Sequence, residues 1–97
     1  MFHAAITGTG RAVPAKTLTN ADLEKLVDTS DEWITTRTGV RERHMAVDGE
    51  TLSDFCVAAG TQALESAGVH AKDLDAVLVA TVTPDQPIPA VACLVQQ

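Results

Sequence analysis

The run Ala76-Val77-Leu78-Val79-Ala80-Thr81-Val82-Thr83 constrains this chain more than any other stretch, because it is continuously apolar and free of charge, Gly and Pro. It is far too short to span a bilayer, which takes about 20 apolar residues. A half-buried strand would alternate apolar with polar residues, and this run does not. It therefore predicts a strand covered on both faces, as in a parallel sheet between helix layers. A sheet of that kind needs helical crossovers, so the rest of the sequence is expected to supply helices.

The rest of the chain agrees. Residues 2–7 (Phe-His-Ala-Ala-Ile-Thr) form a short apolar strand candidate ending at Gly8-Thr9-Gly10. Residues 11–19 read as loop around Pro14, and Asn20 is a good N-cap for a helix over about 21–28. Thr29 and Glu32 have capping-box spacing for a second short helix that stops at Gly39, and a short strand is expected around Val40–Met45. Thr51 and Asp54 open the longest helix. Its apolar set, Leu52, Phe55, Cys56, Ala59, Ala63, Leu64 and Ala67, follows the three–four spacing of one face, and Gly68 is the expected stop. Pro84, Pro87 and Pro89 precede a last helix that has no stop signal, so the chain reads as cut in mid-element. The order is that of an α/β fold, one incomplete domain over residues 1–97.

Charge and cysteine content narrow the function classes. Seven Lys+Arg against 13 Asp+Glu give −6, which argues against nucleic acid as a partner. Two cysteines 37 positions apart cannot make a disulfide framework, and no basic segment followed by an apolar one opens the chain. The expectation is a cytoplasmic protein with no membrane partner. Aromatics are only 3% of residues, so the core falls to Val, Leu, Ile and Ala.

Several small constellations have plain explanations. Gly8-Thr9-Gly10 after a strand invites a dinucleotide reading, but the third glycine of that fingerprint would fall at Val13; a tight turn fits better. His3, His44 and His70 are scattered without ligand spacing, so no metal is expected, and His44 reads as a solvated surface residue. Cys56 lies on the apolar face of the long helix and Cys93 sits between Ala92 and Leu94. Both read as structural, because an activated thiolate wants an electropositive, partly open site. The segment 28–44 stands apart. It holds the single Trp and three of the seven basic residues, and Trp33 and Arg37 are spaced i, i+4 on one helix face. Such a pair can stack an aromatic base and meet a phosphate; equally, it can be a surface cation–π pair with a partly packed indole.

The run TNADLEKLVDTSDEWITTRTGVRERH, Thr19–His44, resembles the N-terminal signature of the β-ketoacyl-acyl-carrier-protein synthase III family. The opening strand with Gly8-Thr9-Gly10, the helix over 51–68, the apolar run 76–83 and Pro89-Ala90-Val91-Ala92-Cys93 resemble the family too, so the match covers essentially all 97 residues. The resemblance implies a thiolase-like fold of two similar layered α/β halves in a homodimer, this chain being the first part of the N-terminal half. It implies an initiating condensing enzyme of bacterial fatty-acid synthesis with no cofactor, acyl-CoA and malonyl-acyl-carrier protein being its substrates. The nucleophilic Cys, and the His and Asn that assist it, are expected beyond Gln97, so none of the catalytic residues falls in this chain. What carries over is the coenzyme A entrance: Trp33 against the adenine, Arg37 as its cationic neighbour and Thr29 as a polar contact. Ile88 corresponds to a residue that reaches the partner subunit's acyl pocket, where many relatives carry Phe.

Two other readings stay open. A thiolase-fold acyltransferase of polyketide or quinolone type would share this N-terminal sequence, and a free-standing coenzyme A-binding or interaction module would use only the entrance. In isolation the 97 residues are expected to show no condensing activity and to expose apolar surface.

Overall fold

The computed structural model describes residues 2–97. They form two compact units, one of Val13–Gly49 and one of residues 2–12 with Glu50–Gln97.

The smaller unit is built on an antiparallel pair of short strands. β1 (Thr17–Thr19) runs antiparallel to β2 (Glu42–His44), with Thr17 opposite His44, Leu18 opposite Arg43 and Thr19 opposite Glu42. β1 falls inside the stretch expected to be loop. Three residues are too few to show a period-two pattern, and the partner strand is more than twenty positions away. α1 (Asn20–Glu24) is shorter than expected and starts one residue earlier. Thr19 is its N-cap, in a capping box whose return bond runs from the Thr19 N–H to the Asp22 carboxylate at 3.0 Å. Asn20 is therefore inside the helix rather than capping it. α2 (Asp31–Thr38) begins after Ser30, whose hydroxyl accepts from the Trp33 N–H at 3.1 Å, so Ser30 replaces the expected Thr29 as cap. Gly39 closes α2 with φ 71°, as expected of a left-handed stop.

The larger unit is organised by α3 (Leu52–Ala67). Thr51 caps it by accepting from the Asp54 N–H, and Gly68 ends it with φ 66°. The seven residues assigned to its apolar face are all partly covered, whereas Val57 and Ala58 beside them are exposed. A short 3₁₀ turn, Ala71–Asp73, follows, and α4 (Val91–Gln96) packs on α3 and buries Val91. The N-terminal N–H groups of α3 receive a second partner from far along the chain: the Asp85 carboxylate accepts from Leu52 N–H at 2.7 Å and from Ser53 N–H at 3.2 Å.

Two expected strands differ. Neither residues 2–7 nor 76–83 join a ladder. Along the second segment Val77 and Val79 are half-covered, while Leu78 and Val82 are 94% and 97% exposed. One face is thus partly covered within the unit and the other is bare, where the apolar run predicts two covered faces. A ladder takes adjacent strands, and burial on both faces takes two layers. Phe2 and Ile6 are fully or nearly fully exposed for the same reason.

Gly8-Thr9-Gly10 is not a tight turn. Neither glycine has positive φ. The segment runs against α3 so closely that a Cβ on Gly10 would lie 2.7 Å from the Ala63 backbone nitrogen and closer still to the Ala59 carbonyl oxygen. Glycine is needed here for close approach of two backbones. The cysteines also lie nearer solvent than a core reading predicts: Cys56 is half-buried and Cys93 exposed. Cys93 lines an open groove of about 720 Å³ between α3 and α4, where one wall of its helix has no cover.

Candidate coenzyme entrance on helix α2

Helix α2 has two faces of different chemistry. Ile34, one of two buried apolar residues among those described, lies on the side of the helix from which the Asp31 and Thr35 side chains bond to Asn20. Trp33 and Arg37 lie roughly 130° away round the helix axis at about 100° per residue. They meet there: the Arg37 guanidinium carbon stands 4.9 Å from the centre of the Trp33 ring. Trp33 keeps 54% of its surface exposed, so the pair is an open stack. The turn before α2 completes the setting. Asp28, Thr29, Ser30 and Trp33 line a hollow of about 330 Å³. The three expected entrance residues, Thr29, Trp33 and Arg37, are therefore neighbours on or just before one helix. Ile88 belongs to the other unit, is 85% exposed and precedes Pro89 through a cis peptide bond.

What holds α2 is a buried polar network that the sequence reading missed. Asn20, only 2% exposed, is the largest fully buried side chain among the described residues. Its amide nitrogen donates to the Asp31 carboxylate at 2.7 Å and to the Val40 carbonyl at 2.9 Å, with the Thr35 hydroxyl at 3.4 Å. Its amide oxygen accepts from the Arg43 guanidinium at 2.8 Å, and the same guanidinium donates to the Leu18 carbonyl at 3.1 Å. The Asn20 backbone N–H donates to the Arg41 carbonyl at 3.1 Å. A second tie runs from the Asp31 N–H to the Glu24 carboxylate at 2.7 Å. The Asn20 amide holds the Asp31 carboxyl below its ordinary pKa, helped by the Thr35 hydroxyl and the charge of Arg41. Of the three arginines in this segment, Arg43 is thus spent internally and Arg37 is the one presented beside the indole. Only the Asn-to-helix spacing hints at this in the sequence, and a good N-cap explains the same residue there. His44 is exposed as expected, its Nδ1 2.7 Å from the Pro14 carbonyl oxygen.

Comparison with known proteins supplies the family context. No family model matches the chain. It is 58% identical over 94 residues to the β-ketoacyl-[acyl-carrier-protein] synthase III of Geobacillus kaustophilus strain HTA426, covering 97% of this chain and 30% of that protein. The crystal structure of 3-oxoacyl-[acyl-carrier-protein] synthase III from Aquifex aeolicus VF5 superimposes with a TM-score of 0.85 at 50% identity, over 94% of this chain and 29% of that one. The priming β-ketosynthase of the R1128 polyketide pathway gives a TM-score of 0.84 at 35% identity, over 94% and 27%. The chain thus spans about 30% of the length of the relatives it matches. Among the described residues no helix is long and apolar enough to cross a membrane. In sequence and in fold this chain matches the N-terminal part of β-ketoacyl-[acyl-carrier-protein] synthase III, an element of the thiolase-like α/β architecture.

Proposed function

We propose that this chain is the coenzyme A entrance segment of an initiating condensing enzyme of bacterial fatty-acid synthesis, acting in the cytoplasm as a homodimer and without a cofactor. In that reaction a cysteine thiolate outside these 97 residues attacks the thioester of a short acyl-CoA, and coenzyme A leaves as its thiol. Malonyl-acyl-carrier protein then loses CO₂, and its carbanion attacks the acyl-enzyme thioester. The β-ketoacyl chain forms on the carrier protein and the enzyme thiolate is released. A His and an Asn, also outside these residues, hold the developing oxyanion.

The observation that carries the site is the open stack of Arg37 on Trp33 at 4.9 Å, beside Thr29. An indole with one free face takes the adenine, the guanidinium meets a phosphate and Thr29 offers a hydroxyl. Ile88 is assigned to the acyl pocket of the partner subunit, its exposure fitting a residue that reaches out of its own unit. The polyketide alternative is supported by the likeness to the R1128 priming enzyme, but the identity to it is 35%, against 50% to the Aquifex aeolicus 3-oxoacyl-[acyl-carrier-protein] synthase III.

The test uses the protein at the full length of its relatives. Trp33→Ala with Arg37→Ala should weaken acyl-CoA binding by roughly 5- to 150-fold, the range that base–aromatic stacking covers. Unchanged affinity would remove the entrance assignment. Acyl-CoA-primed decarboxylation of malonyl-acyl-carrier protein separates the fatty-acid reading from one without carrier-protein elongation.

A further inference from the structure

Resting on the reading of Trp33 and Arg37 as the adenine stack, we infer that Asn20 is the positioning residue of the coenzyme A entrance. Its buried amide fixes how α2 sits, and so where that stack stands.

A buried carboxamide is retained only where its donors and acceptors are met, and Asn20 meets both. Its oxygen takes the Arg43 guanidinium at 2.8 Å. Its nitrogen takes Asp31, the first residue of α2, at 2.7 Å and the Val40 carbonyl, just past the end of α2, at 2.9 Å. One side chain thus grips both ends of the helix, while Arg43 ties that side chain to β2 and, through the Leu18 carbonyl, to β1. The apolar seat beneath the helix is slight, Ile34 being its one buried residue. An eight-residue helix resting on one apolar side chain has little else to set its rotation. Because Trp33 and Arg37 stand well out from the axis on another face, a small rotation of α2 displaces the ring sideways, and stacking depends on that position.

The discriminating substrate is one without the nucleotide. Acyl-phosphopantetheine keeps the reacting thioester and lacks the adenine, so it does not use the stack. The readout is the ratio of kcat/KM for acyl-CoA over acyl-phosphopantetheine, measured in the full-length enzyme at saturating malonyl-acyl-carrier protein. Asn20→Asp keeps the shape of the side chain but sets an acceptor against the Asp31 carboxylate and the Val40 carbonyl. The expected result is a ratio lowered by roughly tenfold, through KM for acyl-CoA, with kcat on both substrates retained. The double variant Asn20→Asp, Asp31→Asn, which restores a donor–acceptor pair between the two positions, should recover part of the ratio. Asn20→Ser, smaller and uncharged, is read in the same way where Asn20→Asp does not fold.

Trp33→Ala separates the two levels of the reading. A lowered ratio in Trp33→Ala with an unchanged ratio in the Asn20 variants overturns the positioning role and leaves the stack. An unchanged ratio in Trp33→Ala removes the stack itself. Equal losses on both substrates in the Asn20 variants make Asn20 a purely structural residue and overturn the inference.

Discussion

The same substitution, Gly→Ala, should act with opposite sign at two glycines of the larger unit. At Gly10 an added Cβ would meet helix backbone and β-carbon at once, the Ala63 nitrogen and the Gln62 Cβ both at 2.7 Å. Ordinary contact begins at 3.4 Å and the Ala59 carbonyl oxygen lies closer still than these two atoms, so the segment and α3 must part by more than about 0.7 Å. A gap of that size forfeits a quarter to a half of each dispersion contact along the seam. Overpacking costs about 1–3 kcal/mol, and a clash this close against helix backbone belongs at the upper end, so a loss of at least about 1 kcal/mol remains after the stiffer unfolded chain returns up to about 1 kcal/mol. At Gly60, inside α3, a Cβ meets nothing within 4 Å. There alanine should stabilise by about 0.5–1 kcal/mol, the helix-interior difference between the two residues. Urea denaturation of the full-length protein, with the two variants measured side by side, reads the difference directly as a shift in midpoint at constant slope. A Gly10→Ala variant within about 0.5 kcal/mol of the parent, the range of an ordinary surface substitution, would refute the close-approach reasoning.

The Trp33–Arg37 and Asn20 variants described above are joined by two others. Ser30→Ala removes the hydroxyl that accepts from the Trp33 N–H and should cost about 1 kcal/mol, whereas Ser30→Asp should be close to neutral in thermal denaturation. Asp85 is held below its ordinary value of 3.8 by hydrogen bonds from the Ser53 side chain and from the Ser53 and Leu52 backbone. A carboxylate with a depressed folded pKa adds stability above its unfolded value, and loses it as pH falls from there through the folded value. Denaturation midpoints taken from pH 6 downward should therefore fall below about 3.8 more gently in Asp85→Asn than in the parent. Parallel curves would mean that Asp85 does not hold α3 in solution.

The one-sided apolar spacing of α3, its Thr51 cap and its Gly68 stop were legible because they are local: a helix period and its end residues lie within a few positions of one another. The Trp33–Arg37 pair was legible for the same reason, since i, i+4 neighbours on a helix meet whatever surrounds them. β1 was not, because its three residues become a strand only by pairing with 42–44. The apolar run 76–83 did not give a ladder, which depends on neighbours rather than on its own residues.

The same division separates the two roles of residues 20–37. Sequence by itself placed an aromatic and a cation side by side on an exposed helix, and aligned that helix with one known family. Tertiary structure decided that Asn20 is buried beneath the helix, reaching Asp31, Val40 and Arg43 across 11, 20 and 23 positions. A polar side chain looks the same in a sequence whether it caps a helix in water or joins three segments in the interior. Only the burial that surrounds it makes its hydrogen bonds obligatory.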